Sequence, residues 1–216
     1  MKSIFIFGAS VVHGVGGTKG GWADKLKSSL HAQMYGPEGV GEVCDVFELG
    51  VPGTTIADIM QQFEPALHAR LTKNIPEDTY IIFSAGTNDS KAVDKPQNYY
   101  SSVGDFAASV EAFIQVAKAY STHIIGVGIF PVNEAKTTPL AGTTVYFTNE
   151  RIQSFDQALR RTCEQERVGF VSTFERVPEK WQTDFLFTDG LHPNNAGHEW
   201  LYNRVAAKLR KILGPL

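Results

Sequence analysis

Two places in this 216-residue chain carry side chains able to hand a proton along and to attack a carbonyl. Near the C-terminus, Asp189-Gly190-Leu191-His192-Pro193 sets a carboxylate and an imidazole three residues apart. The glycine between them and the proline after them suit a fixed turn rather than a mid-helix stretch. Such a turn can fold Asp189 onto Nδ1 of His192, fixing the tautomer and leaving Nε2 free to take a proton. Near the N-terminus, Ser10 follows an apolar run and Gly8, at a strand-to-helix junction with Gly14 beyond it. Acyl transfer through serine needs a hydroxyl, a base, a group that orients the base, and donors for the oxyanion. Gly53 and Asn88 are the candidate donors. A glycine lets a backbone N–H approach a ligand closely, and a carboxamide donates without adding charge.

Plainer readings compete at each position. Ser10 alone could be a helix N-cap. Asp189 could cap locally, but Asn194 and Asn195 are better placed to cap the last helix. His13 has no evident carboxylate partner and is expected to line the cleft or lie exposed. Asp189, His192 and His198 lack the spacing of a metal set, so no metal is expected. Residues 8–17 are glycine-rich but match neither the P-loop nor the dinucleotide fingerprint.

Around these residues, short apolar runs alternate with helical patterns, which predicts parallel α/β architecture. Strands are expected at residues 3–7, 43–47, 79–84, 123–129 and 169–172. Helices are expected at 22–34, from Thr54 or Thr55 onward, and at 99–120, 149–167 and 195–213. The prediction is a three-layer α/β/α sandwich on a five-stranded parallel sheet, one domain over residues 1–216. Ligands of such sheets bind beyond the C-terminal strand ends, where Ser10, Gly53 and Asn88 all fall. Residues 133–147 lack a period and are expected to overhang the site and set acyl or alcohol specificity.

Composition excludes several classes. The net charge is −3 with no basic run, which argues against nucleic acid as a partner. Cys44 and Cys163 form neither a metal spacing nor a disulfide framework and are expected to be buried. No apolar run reaches the roughly 20 residues of a membrane span. The N-terminal apolar stretch, Ile4 to Phe7, is shorter than a secretory signal needs, so a cytoplasmic protein is expected.

Together the motifs resemble the SGNH hydrolase superfamily, the GDSL-type esterases and lipases. Gly8-Ala9-Ser10-Val11 is similar to the nucleophile block, and Gly50-Val51-Pro52-Gly53-Thr54-Thr55 to the glycine block. Gly86-Thr87-Asn88-Asp89 and Asp189-Gly190-Leu191-His192-Pro193 match the remaining two, in family order over nearly the whole chain. The resemblance implies a flavodoxin-like fold and hydrolysis of carboxylic esters, among them acetylated sugars and lysolipids, with no cofactor. It also implies roles: Ser10 as nucleophile, His192 as base, Asp189 as its orienter, and Ser10, Gly53 and Asn88 as the oxyanion hole. Ala9 departs from the family Asp, Val11 from its Leu, and Glu48 from a common Asn. Two alternatives share these residues: transfer to an acceptor other than water, and a flavodoxin-like binding module with weak catalysis.

Overall fold

The computed structural model describes residues 1–36, 39–71 and 73–213. Its central sheet holds five strands: β1 (Lys2–Gly8), β2 (Cys44–Gly50), β3 (Thr79–Ser84), β4 (His123–Val127) and β5 (Gly169–Val171). They lie in the order β2-β1-β3-β4-β5, every neighbouring pair parallel. This is the predicted architecture. The helices are α1 (Ser10–His13), α2 (Trp22–Met34), α3 (Ile56–His68), α4 (Val103–Ala117), α5 (Glu134–Thr137), α6 (Asn149–Gln165) and α7 (Asn195–Leu213).

The apolar strands read as runs, not as alternations, because helices cover both faces. Ile4, Ile6, Ile82, Ile125 and Val127 point to one side, where Trp22, Leu26 and Leu30 of α2 pack with Leu201, Val205 and Leu209 of α7. Phe5, Phe7, Ile81 and Phe83 point to the other, against Ile59 and Phe63 of α3, Phe106 and Phe113 of α4, and Phe155 of α6. Cys44 and Cys163 are buried free thiols, and burial pushes them up to about 11 and about 12. No helix among the described residues is long and apolar enough to cross a membrane.

Element ends differ from expectation where side chains compete with the backbone. β4 stops at Val127, short of residue 129. Asp156 takes the Ile129 N–H at 2.8 Å and the Thr173 hydroxyl donates to the Ile129 carbonyl at 2.7 Å, which ends the ladder. α4 starts at Val103, later than residue 99, because the Ser102 hydroxyl accepts the Asp105 N–H and caps it there. The stretch 133–147 is not structureless. Asn133 caps α5, and Val145–Tyr146 pairs antiparallel with Ala92–Val93. The fully buried Thr137 hydroxyl donates to the Phe147 carbonyl at 2.9 Å, closing the flap on itself.

What matters for the site is register. Gly8 lies level with Gly50 on one side and Ser84 on the other, so the chain leaves β2, β1 and β3 at one height. The residues just beyond those exits therefore meet.

Candidate active site

Ser10 opens α1, directly after β1. Ala9 occupies the N-cap and makes no side-chain cap bond, so the departure from Asp leaves this helix start without a carboxylate. The buried Val12 anchors the short helix in the core, and Gly14 ends it. His13 is exposed and lies outside the cleft lining.

The Asp189–His192 segment is a closed turn. Asp189 Oδ1 accepts the backbone N–H groups of Leu191 (2.9 Å) and His192 (3.0 Å). Gly190 takes φ +73°, a conformation costly for residues with a Cβ. A Cβ there would also stand 2.9 Å from Lys136 Cβ, and the Gly190 carbonyl accepts the Asn133 N–H at 2.9 Å. The flap thus packs directly on the turn.

With Oδ1 used by the backbone, Oδ2 of Asp189 faces Nδ1 of His192 at 2.7 Å. On the far side of the ring, Nε2 lies 2.9 Å from Ser10 Oγ. Burial alone would raise the Asp189 carboxyl. The hydrogen bonds from the His192 ring and from the His192 and Leu191 N–H groups outweigh it, and the group sits below the usual carboxylate range. An ionised Asp189 accepts only, so Nδ1 carries the ring proton and Nε2 offers its lone pair to the Ser10 hydroxyl.

The oxyanion candidates converge on the same cleft. Gly53 and Asn88 line it with Ser10 and His192. Gly53 holds φ +88°, and a Cβ on it would meet nothing within 4 Å. Backbone conformation, not crowding by the protein, is what calls for glycine there. Asn88 Nδ2 donates one hydrogen to the Thr54 carbonyl at 2.9 Å, which leaves its second for a ligand. Glu48 accepts the Gly50 N–H at 2.7 Å at the end of β2, a local use for a residue that departs from the family pattern.

Several supporting residues carried no legible role in the sequence. Buried Asp89 accepts the N–H groups of Gly86 and Ile56, both at 3.1 Å, and so ties the exit of β3 to the start of α3. Burial raises its carboxyl, and those same N–H groups pull it back part of the way. Leu140, Val145 and Phe147 of the flap wall the cleft, as does Lys91. No periodicity marks any of these.

His198, weighed above as a metal ligand, has both ring nitrogens engaged in the protein. Nδ1 accepts the Trp22 N–H at 3.2 Å, and Nε2 donates to the Val15 carbonyl at 3.0 Å. The ring is fully buried and locks the Ser10 segment to α2 and α7. Burial lowers its pKa, so the neutral ring is the folded form. Its contribution is complete above the unfolded value of about 6.5 and is lost as pH falls through the folded value. His198→Phe strands one donor and one acceptor, each worth about 1–3 kcal/mol when buried. At pH 7 its melting temperature should fall by about 4–24 °C. That gap to the wild type should narrow in melts at pH 5; a gap independent of pH would refute the assignment.

The model of the GDSL-like Lipase/Acylhydrolase family matches residues 6–200. The chain belongs to this family. As a GDSL-like acylhydrolase it is a carboxylic ester hydrolase. The matched span holds Ser10, Gly53, Asn88, Asp189 and His192. The lipase/acylhydrolase from Enterococcus faecalis is 17% identical, with a TM-score of 0.75 over 98% of this chain and 96% of that one. The psychrotrophic esterase EstA from Pseudoalteromonas sp. is 15% identical, with a TM-score of 0.70 over 100% of both chains. Axe2, an acetylxylan esterase from Geobacillus stearothermophilus, is 16% identical, with a TM-score of 0.69 over 100% of this chain and 95% of that one. At these identities the likeness is one of fold. No curated protein matched the sequence.

Proposed function

We propose that this GDSL-like hydrolase cleaves small acyl esters through an acyl-enzyme on Ser10. The observation that carries the reading is the unbroken line from Ser10 Oγ to His192 Nε2 (2.9 Å) and from Nδ1 to Asp189 Oδ2 (2.7 Å). Ser10 Oγ attacks the ester carbonyl while its proton passes to Nε2. The oxyanion then lies toward the N–H groups of Ser10 and Gly53 and the free hydrogen of Asn88 Nδ2. As the tetrahedral species collapses, the leaving alkoxide takes the proton from Nε2. Water next attacks the acyl group, giving its proton to Nε2, and Ser10 departs with a proton returned. Asp189 stays ionised throughout and steadies the imidazolium.

The cleft supports a small substrate. It measures about 320 Å³, at the lower end of ligand sites, and its walls include Val11, Leu140, Val145, Phe147 and Leu191. That lining favours a short acyl group over a long chain or a sugar in the same space.

The Pseudoalteromonas esterase was solved inhibited by monoethylphosphonate, and an organophosphonate is also the probe for this chain. A fluorophosphonate should label the wild type at one site, mapped by peptide mass to Ser10, and should leave Ser10→Ala unlabelled. A wild type that resists labelling overturns the reading of Ser10 as the nucleophile.

A further inference from the structure

A lysine lines this cleft with no ion-pair partner among the described residues. Lys91 is half-buried and lines the cleft with Ser10, Asn88 and His192; the rest of that lining is apolar or neutral apart from the His192 ring. Among the described residues no carboxylate lies within 4.0 Å of its ammonium. The Thr55 N–H and hydroxyl hold Asp58 below the usual range, and the Lys91 charge adds a smaller pull in the same direction. Yet Asp58 Oδ2 is committed to the Thr55 N–H (2.8 Å) and hydroxyl (2.7 Å), which cap α3.

The ammonium is also held in place. It sits 4.6 Å from the centre of the Tyr100 ring, a favourable cation–π distance. The Tyr100 N–H donates to the Lys91 carbonyl at 3.0 Å. Arg151 closes the same loop from beneath, donating to the Ser90 carbonyl (3.2 Å) and the Ser101 carbonyl (2.7 Å) while covering the Tyr99 ring at 3.9 Å. An oriented, unneutralised cation beside an apolar wall attracts an anion more strongly than one free in water.

We propose that Lys91 selects esters bearing a second, anionic group, a carboxylate or a phosphate, and pairs with it while Ser10 attacks the ester. The proposal rests on the Ser10 cleft being the substrate site. A phosphate and a carboxylate share the chemistry Lys91 reads, so the test carries one arm for each.

The first arm compares monoethyl succinate with ethyl butyrate, and the second compares 1-acetylglycerol 3-phosphate with 1-acetylglycerol, both by proton release. The wild type should prefer the anionic member of at least one pair by about fivefold in kcat/KM, chiefly through KM, as one ion pair allows. The arm that responds identifies the anion. Lys91→Met should bring that ratio to about one, Lys91→Glu should take it below one, and Lys91→Arg should keep it. Added 0.5 M salt should shrink the wild-type preference, since the cleft mouth is open to ions. A wild-type ratio near one in both arms, with the neutral esters still cleaved, overturns the role of Lys91 and leaves the Ser10 reading intact. A preference that survives Lys91→Met overturns it equally. Failure to cleave any ester overturns both readings together.

Discussion

Ser10→Ala should lower kcat toward 4-nitrophenyl acetate by about four to six orders of magnitude, the range seen when a serine nucleophile is deleted. The loss is large because, among the described residues, no second hydroxyl is hydrogen-bonded to His192 Nε2. The lone pair of His192 Nε2 points at one oxygen, 2.9 Å away, and that oxygen is Ser10 Oγ. Rate should not fall to that of water alone, because Gly53, Asn88 and the residue 10 N–H remain to receive an oxyanion. Melting temperature should stay close to that of the wild type. Ser10 is half-buried and its hydroxyl makes one side-chain contact among the described residues, so the fold loses little. Undiminished turnover in this variant would refute the assignment of Ser10.

Asp189→Asn should cost about four orders of magnitude in kcat, as the comparable change does in a serine protease. Its cause differs from the loss of a nucleophile. Asp189 Oδ2 accepts from Nδ1 at 2.7 Å, which keeps the proton off Nε2. A carboxamide that turns its NH₂ toward Nδ1 favours the other tautomer, with hydrogen on Nε2, and that ring cannot accept the Ser10 proton. Geometry should survive, since the Asn Oδ1 can still take the Leu191 and His192 N–H groups that Asp189 takes at 2.9 and 3.0 Å. The native carboxyl is held below its ordinary value, so its contribution to stability is present above about pH 3.9 and fades as pH falls through the folded value. The variant should lack that acid limb. Kinetics and acid melts measure the two effects separately. A drop in kcat of tenfold or less would mean that the turn, not the carboxylate, orients His192.

The contrast between these residues shows what could be read in one dimension. The Asp189–His192 contact spans three positions and is written in the turn itself, through Gly190 and Pro193. The Ser10–His192 contact spans 182 positions, and nothing local to either residue encodes it. The sheet creates it, by bringing the exits of β1, β2 and β3 level at Gly8, Gly50 and Ser84. Strand runs such as Ile4–Phe7 were legible because a parallel sheet buried on both faces needs them apolar throughout. The ends of β4 and α4 were not, because they depend on side chains arriving from elsewhere: Asp156 and Thr173 on Ile129, Ser102 on Asp105.

The same division runs through the site. By itself the sequence determined the sheet and the motif order, and it singled out Ser10, Gly53, Asn88, Asp189 and His192 for the proposed chemistry, because these readings depend on residue type and on short-range spacing. Tertiary structure alone decided what surrounds that chemistry. It turned residues 133–147 from an expected loop into a braced flap whose Leu140, Val145 and Phe147 wall the cleft. It engaged both nitrogens of His198 with Trp22 and Val15, and it left Lys91 lining the cleft with no carboxylate within 4.0 Å among the described residues. Burial, pairing and the absence of a partner are properties of what packs nearby, and packing between distant segments has no period along the chain.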